Sequence, residues 1–138
     1  MRIMAIDYGD AHTGIAISDP TGLLAGFTTV INSRRQEVVV EQVTLLAKEH
    51  GAEELVLGHP VNMDGTLGPR SEKAKAMKAL LEEATALPVV LWDERRTTID
   101  ARNILFNSGK NAKQRKKVVD AVAASLILEG YLTFKKSH

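Results

Sequence analysis

The order and spacing of the apolar segments constrain the fold of this chain more than any other feature. Three short apolar segments come first, at residues 2–9, 14–19 and 23–31, and only short polar stretches separate them. Strands joined by such short connections run antiparallel to each other, because a parallel crossover needs a dozen or more residues. The opening of the chain therefore predicts an antiparallel meander of three strands.

The rest of the chain alternates between helical and strand patterns. The strand patterns are continuous apolar runs, which are typical of strands buried on both faces of a sheet. In chain order the segments are a helix at 34–51, a strand at 53–60, a helix at 69–86, a strand at 87–94, a short helix at 97–109 and a long helix at 115–134. This order predicts an α/β fold whose mixed five-stranded sheet joins the antiparallel meander to two parallel strands, with helices packed on it. With 138 residues and no internal repeat, residues 1–138 are expected to form one domain.

Composition excludes several kinds of site. The chain has no cysteine, which rules out disulfides, zinc–thiolate sites and thiol nucleophiles. An aspartate at position 7 interrupts any signal-peptide apolar region, and no apolar run approaches the about 20 residues that span a bilayer. We therefore expect a cytoplasmic protein without a membrane partner. The histidines lack metal-ligand spacing and are assigned no chemistry: His12, His50, His59 and His138.

Carboxylates stand at the ends of strands that are otherwise apolar. Asp7 ends the first strand, Asp93 and Glu94 end the last, and Asp120 lies near the start of the final helix in an otherwise apolar row. The carboxyl ends of parallel strands meet at one sheet edge, so these acids should converge. A divalent cation would remove their repulsion, and oxygen ligands alone favour Mg²⁺ or Mn²⁺. Two such ions about 3.5–4 Å apart can activate a water and stabilise the leaving oxygen of a phosphodiester.

Each acid also has an ordinary structural interpretation. Asp7 can cap the turn that follows it, the acids after the last strand can pair with the adjacent arginines, and Asp120 can pair with a lysine one turn earlier. The glycine-containing residues 58–71 can likewise bind phosphate through backbone N–H groups or form a plain Asp-Gly turn. The placement of three acids at matched ends favours the metal site.

One segment is strongly basic. Residues 95–117 hold eight basic residues and one acidic residue, whereas the rest of the chain holds ten basic and sixteen acidic residues. A basic segment on an acidic body indicates a polyanionic partner, although a solvated loop and helix face is the plain alternative. The candidate nucleic-acid contacts are Arg95, Arg96, Lys110, Lys113, Arg115, Lys116 and Lys117.

Four motifs together resemble one known family. "AIDYG" with Gly14, "GHPVNMDGT", "DERRTT" and "VVDAVAASLILEGYL" are similar in order and spacing to the YqgF family, also called RuvX, of pre-16S rRNA nucleases. The resemblance covers essentially the whole chain. It implies a ribonuclease H-like domain related to the Holliday junction resolvase RuvC. It also implies a metal-dependent nuclease acting on the 5′ end of precursor 16S rRNA, with ribosomal precursor particles as partners and branched DNA as a further substrate.

The resemblance also assigns site residues. It maps Asp7, Glu94 and Asp120 onto the catalytic and metal-binding acids, and it leaves open whether Asp93 or Glu94 is the ligand, with Glu94 favoured. RuvC resolvases carry a second acid three residues after the helix aspartate, where this chain has Ala123. That departure keeps a second hypothesis open, a non-catalytic RNA-binding ribosome-assembly factor on a degenerate nuclease fold. A phosphotransferase of the actin and sugar-kinase type is a third, but the chain is too short for the second lobe of those proteins.

Overall fold

A computed structural model describes residues 1–19, 25–59, 68–93 and 112–137. Within these ranges lie five strands and three helices. The strands are β1 (Arg2–Asp7), β2 (His12–Ser18), β3 (Ala25–Asn32), β4 (Ala52–His59) and β5 (Val89–Asp93). The helices are α1 (Gln36–His50), α2 (Pro69–Thr85) and α3 (Ala112–Ser137).

The strands form one sheet in the order β3-β2-β1-β4-β5. β1 pairs antiparallel with β2, and β2 pairs antiparallel with β3. β4 lies parallel to both β1 and β5. The predicted meander with two added parallel strands is thus confirmed. The cause is connection length, since only a few residues separate the first three strands, whereas α1 and α2 carry the chain back before β4 and β5.

Helices cover both faces of the sheet. In β1, Met4 and Ile6 belong to the core beneath α1 and α2, whereas Ile3 and Ala5 belong to the core beneath α3. All four side chains are buried, as the continuous apolar run predicted. Full burial of an aliphatic side chain of the size of isoleucine or methionine contributes about 1.5–3 kcal/mol. The central strand is therefore fixed from both sides.

The helix boundaries follow local signals in the sequence. Pro69 occupies the first turn of α2, and Gly51 ends α1 in the left-handed conformation with φ 69°, both as predicted. α3 is helical from Ala112, three residues before the predicted start at 115, and Lys113 and Gln114 are good helix formers. The predicted helix at 97–109 lies outside the described residues. None of the helices described is both long enough and apolar enough to cross a membrane.

Candidate active site

The three parallel strands end at one edge of the sheet, which we call the carboxyl edge. Their last residues are Asp7 of β1, His59 of β4 and Asp93 of β5. His59 pairs in register with Asp93, and Ile6 pairs with Leu57. Since neighbouring strands lie about 4.8 Å apart, the backbones of β1 and β5 are about 10 Å apart across β4. The structure thus brings the ends of the first and last strands to the same edge.

Asp7 and Asp93 belong to opposite faces of the sheet. Asp7 is half-buried and lies on the face of β1 that packs against α3, the same face as Ile3 and Ala5. In β5, Trp92 belongs to the core beneath α3, whereas Val89 belongs to the core beneath α1 and α2. Because side chains alternate along a strand, Asp93 falls on the same face as Val89. Asp7 and Asp93 therefore lie on different faces of the sheet, and Glu94 lies outside the described residues.

Helix α3 carries the row of residues that includes Asp120. The later members of that row are buried against the sheet, with Ala124 exposed by 0%, Ile127 by 3% and Tyr131 by 6%. Asp120 lies one helical turn before Ala124, on the same row of the helix. The predicted sheet-facing row is therefore confirmed from Ala124 onward, while the side chain of Asp120 lies outside the described part.

An acid near the start of β4 anchors the other end of α3. Glu54 is only 9% exposed, and the Tyr131 hydroxyl donates a hydrogen bond to its Oε1. Lys135 Nζ lies 2.9 Å from Glu54 Oε2, as both a hydrogen bond and an ion pair. Burial and the adjacent Glu54 carboxylate raise the pKa of Tyr131. The carboxyl-terminal half of α3 is thus held near the start of β4, away from the carboxyl edge.

The metal-binding prediction depends on residues that are only partly described. Among the described residues, no group of three histidine, aspartate or glutamate side chains is close enough to hold a metal ion. Two of the predicted ligands, Glu94 and the Asp120 side chain, fall outside this set. The three-acid site therefore stays a prediction. Its donor set of carboxylate oxygens alone fits Mg²⁺ or Mn²⁺ rather than a soft metal.

The predicted nucleic-acid contacts also lie partly outside the described residues. Arg95, Arg96 and Lys110 lie outside the described residues, whereas the first turns of α3 contain Lys113, Arg115, Lys116 and Lys117. At spacings of three and four, Lys113, Lys116 and Lys117 share one side of the helix, and Asp120 continues that side. The helix thus places lysines and an acid in one row.

Two features of the carboxyl edge were missed from the sequence. His59 Nε2 is hydrogen bonded to Ser71 Oγ at 2.5 Å, and Ser71 is fully buried in the first turn of α2. Lys73 of the same helix reaches across to Asp10, with Nζ 3.1 Å from Oδ1. The parallel register of β4 and the start of α2 at Pro69 were the signals that could have brought His59 and Ser71 together.

The turn after Asp7 depends on a glycine. A Cβ at Gly9 would collide with the carbonyl oxygen of His12. Only glycine allows the backbone to turn this tightly between β1 and β2. Gly9 therefore fixes the path of the chain directly after Asp7.

Comparisons with known proteins cover the whole chain. A family model described as "RuvX: Holliday junction resolvase" matches residues 1–134. The chain is 43% identical to the "Putative pre-16S rRNA nuclease" of Halothermothrix orenii over 98% of this chain and 96% of that protein. It is 44% identical to the protein of the same name from Listeria monocytogenes serotype 4b, over 96% and 97% of the two chains.

Solved structures agree on the fold. RuvC from T. thermophilus, solved in complex with a Holliday junction substrate, matches with a TM-score of 0.65 and 14% identity over 98% of this chain and 96% of its own. A ROK hexokinase from Thermus thermophilus matches 70% of this chain but only 36% of its own, with a TM-score of 0.51 and 24% identity. The chain belongs to the RuvX family of nucleases and has the ribonuclease H-like fold of RuvC.

Proposed function

We propose that the protein is a divalent-metal-dependent nuclease that hydrolyses phosphodiester bonds of structured nucleic acid. Its main substrate is the 5′ end of precursor 16S rRNA, and branched DNA is a further substrate. One observation carries the proposal: Asp7 ends the central strand at the carboxyl edge, on the face covered by the helix that bears Asp120. A carboxylate at the end of a strand whose four inner residues are buried fits a metal ligand at the edge where parallel strands end.

Asp7, Glu94 and Asp120 are the residues that we propose as metal ligands. Asp93 is the weaker candidate because strand alternation assigns it to the face opposite Asp7. When bound, Mg²⁺ or Mn²⁺ supplies activation of the attacking water and charge stabilisation of the leaving oxygen. The carboxylates keep the charge of the site balanced, and β1 and α3 hold two of them on rigid elements.

The length of α3 supports this arrangement. Tyr131 is anchored on Glu54, which pairs in register with Ile3 of β1. From Tyr131 back to Asp120 the helix rises about 16 Å, at about 1.5 Å per residue. From Ile3 to Asp7 the strand rises about 13 Å. The helix is therefore long enough to extend from the Glu54 anchor to the level of Asp7.

The basic segment binds the substrate in this proposal. Lys113, Arg115, Lys116 and Lys117 lie one to two turns before Asp120 and would contact backbone phosphates. Arg95, Arg96 and Lys110 are proposed contacts on the same grounds of charge. Such contacts give affinity and register without reading sequence. Specificity then comes from the folded shape of the precursor rRNA within ribosomal precursor particles, which the protein meets in the cytoplasm.

The test is cleavage by an Asp7→Asn variant. Substrates are a precursor 16S rRNA fragment with its 5′ leader and a four-way DNA junction, each with Mg²⁺ and with Mn²⁺. We expect the cleavage rate to fall roughly 100-fold or more, as for loss of a group that organises a metal site. The melting temperature should stay equal or rise, because one source of like-charge repulsion is removed.

Glu53→Gln is the matched control, since Glu53 is an exposed acid at the opposite end of β4. It should cleave at the wild-type rate. An Asp7→Asn protein that cleaves as fast as the control would place the activity elsewhere and overturn the proposal.

A non-catalytic RNA-binding assembly factor is the second candidate. Its supporting observation is Ala123, which is half-buried on α3 where RuvC-type resolvases carry a further acid. That candidate predicts RNA binding by the wild-type protein with no cleavage in either metal. The same assay therefore separates the two functions.

A further inference from the structure

A cavity of about 60 Å³ opens at the carboxyl edge on the face covered by α1 and α2. It lies directly after Asp7 in the chain but on the other side of the sheet, because Tyr8 and Ala74 pack with the α1–α2 core. We call it the cationic pocket; it is lined by Tyr8, Gly9, Asp10, Gly58, Arg70 and Lys73.

Positive charge dominates this pocket. Arg70 and Lys73 are three residues apart at the start of α2, and both are exposed. Lys73 holds Asp10 by a hydrogen bond, and that bond together with the charges of Lys73, Arg70 and Arg34 lowers the pKa of Asp10. In the described part of the chain, three cations thus act on one carboxylate at this position. This surplus of positive charge favours the binding of an anionic ligand.

Helix stability does not explain the two cations of α2. The amino end of a helix carries a partial positive charge, so basic residues near it destabilise the helix. No carboxylate among the described residues lies within ion-pair distance of Arg70. An exposed arginine in an unfavourable position, beside a lysine that borders the same cavity, indicates a binding role.

We propose that the cationic pocket binds a backbone phosphate of the nucleic acid, as a second contact on the face of the sheet opposite Asp7. In the free protein Asp10 pairs with Lys73, and the phosphate displaces it. The inference deepens the proposed function, because it requires the substrate of that function to cross the carboxyl edge and contact both faces.

The geometry sets a minimum size for such a substrate. α2 and α3 lie on opposite faces, and layers of secondary structure pack about 10 Å apart, so the two contacts are roughly 20 Å apart. Along a stacked helical strand, which rises about 3.4 Å per phosphate, the two contacts are about six nucleotides apart. A stacked strand shorter than this cannot engage both contacts at once.

Salt-dependent binding tests the pocket without any cleavage. A fluorescent RNA hairpin from the 16S leader and a four-way DNA junction are titrated in EDTA at several KCl concentrations, with the wild type and with R70Q/K73Q. Each phosphate that is no longer neutralised should reduce the slope of log K against log salt by about 0.9, so we expect a reduction of about one unit for the single phosphate in the pocket. A reduction with both substrates would show that the pocket binds the phosphodiester shared by RNA and DNA; a reduction with one would assign it to that nucleic acid.

The matched control is K75Q/K78Q, which removes the same charge from the same helix. These lysines pair with Glu72 and Glu82 and do not line the pocket. The control should bind with a slope close to that of the wild type. Equal slopes for the two double variants would overturn the inference.

The Asp10→Asn substitution should change the affinity for nucleic acid in the opposite direction. Removing the carboxylate frees Lys73, so affinity should increase roughly two- to fivefold, the effect of one exposed ion pair. Glu82→Gln is the matched control, because Lys78 Nζ lies 3.1 Å from Glu82 Oε1, the same distance that separates Lys73 from Asp10. Unchanged or weaker binding by Asp10→Asn would contradict the displacement of Asp10 by phosphate.

Failure of this inference differs from failure of the proposed function. If the wild type binds nucleic acid without cleaving it and R70Q/K73Q has a reduced salt slope, the nuclease proposal is contradicted and phosphate binding in the cationic pocket is supported. If the wild type cleaves and R70Q/K73Q has the same salt slope as the wild type, phosphate binding in the cationic pocket is contradicted and the nuclease proposal is retained.

Discussion

Glu54 shows how one residue can determine where a helix lies. Its carboxylate is buried, and α3 supplies both of its described partners, Tyr131 and Lys135. A buried carboxylate without partners would cost several kcal/mol or become protonated. α3 therefore cannot slide along the sheet without breaking both hydrogen bonds. A single acid on β4 thus helps to fix the position of α3 along the sheet.

Removing the Tyr131 hydroxyl should weaken this anchor. We expect Tyr131→Phe to lower the free energy of unfolding by about 1–2 kcal/mol at pH 7, because Glu54 loses a buried donor. Urea unfolding followed by circular dichroism gives this value. A change below the error of the measurement would mean that water replaces the hydroxyl without cost.

The same substitution should alter the response to high pH. Burial raises the pKa of Tyr131 in the folded state, whereas an unfolded tyrosine titrates near about pH 10. Above about pH 10 the unfolded chain binds fewer protons than the folded chain, so the wild type loses stability as pH rises. The stability difference between the wild type and Tyr131→Phe should therefore shrink above about pH 10, and a constant difference would contradict the anchor.

At the scale of elements, α1 and α2 end in the same backbone conformation with different residues. α1 ends at Gly51 with φ 69°, and α2 ends at Ala86 with φ 58°. This left-handed conformation costs an L-residue about 1–2 kcal/mol, whereas glycine adopts it freely. A Cβ at Gly51 would meet no atom within 4 Å, so backbone strain alone distinguishes the two positions.

A reciprocal pair of substitutions tests this difference. Gly51→Ala should lower the free energy of unfolding by about 1 kcal/mol through strain. Ala86→Gly should raise it by up to about 1 kcal/mol, reduced by the larger entropy of glycine in the unfolded chain. Chemical denaturation of both variants measures the two changes. Changes of the same sign would show that something other than φ controls these helix ends.

Local signals in the sequence predicted most of the helices and strands. Contacts between residues far apart in the sequence could not be predicted. Short connections predicted the meander, and Pro69 and Gly51 marked helix ends correctly. The pair of Asp10 and Lys73 joins residues 63 positions apart, and no periodicity in the sequence points to such a contact. The face that Asp93 occupies likewise depends on the register of β5, which the sequence alone does not fix.

At the scale of the whole molecule, positive charge is concentrated at one end of α3 and in the segment before it. Replacing the four basic residues in the first turns of α3 with Gln should weaken nucleic-acid binding about equally across sequences. It should also reduce the salt slope by about 0.9 for each phosphate that these side chains neutralise in the wild type. Stability should change little, since exposed charges contribute little. The variant changes Lys113, Arg115, Lys116 and Lys117.

A second quadruple variant gives the control for net charge. It removes four exposed or partly exposed cations elsewhere on the described surface, and it should bind nearly as the wild type does. Equal losses of affinity in the two quadruple variants would mean that overall charge, rather than the start of α3, governs binding. The control changes Arg35, Lys48, Lys75 and Lys78.

The first strand of the chain is the central strand of the sheet, and this has a consequence for synthesis on the ribosome. β2 follows β1 directly in the chain, whereas the parallel neighbour β4 comes only after α1, and α3 comes last. Domains generally fold as units, and a nascent chain carries Asp7 long before it carries Asp120. The proposed acidic site therefore cannot be complete before α3, the last element, has been synthesised and has packed on the sheet.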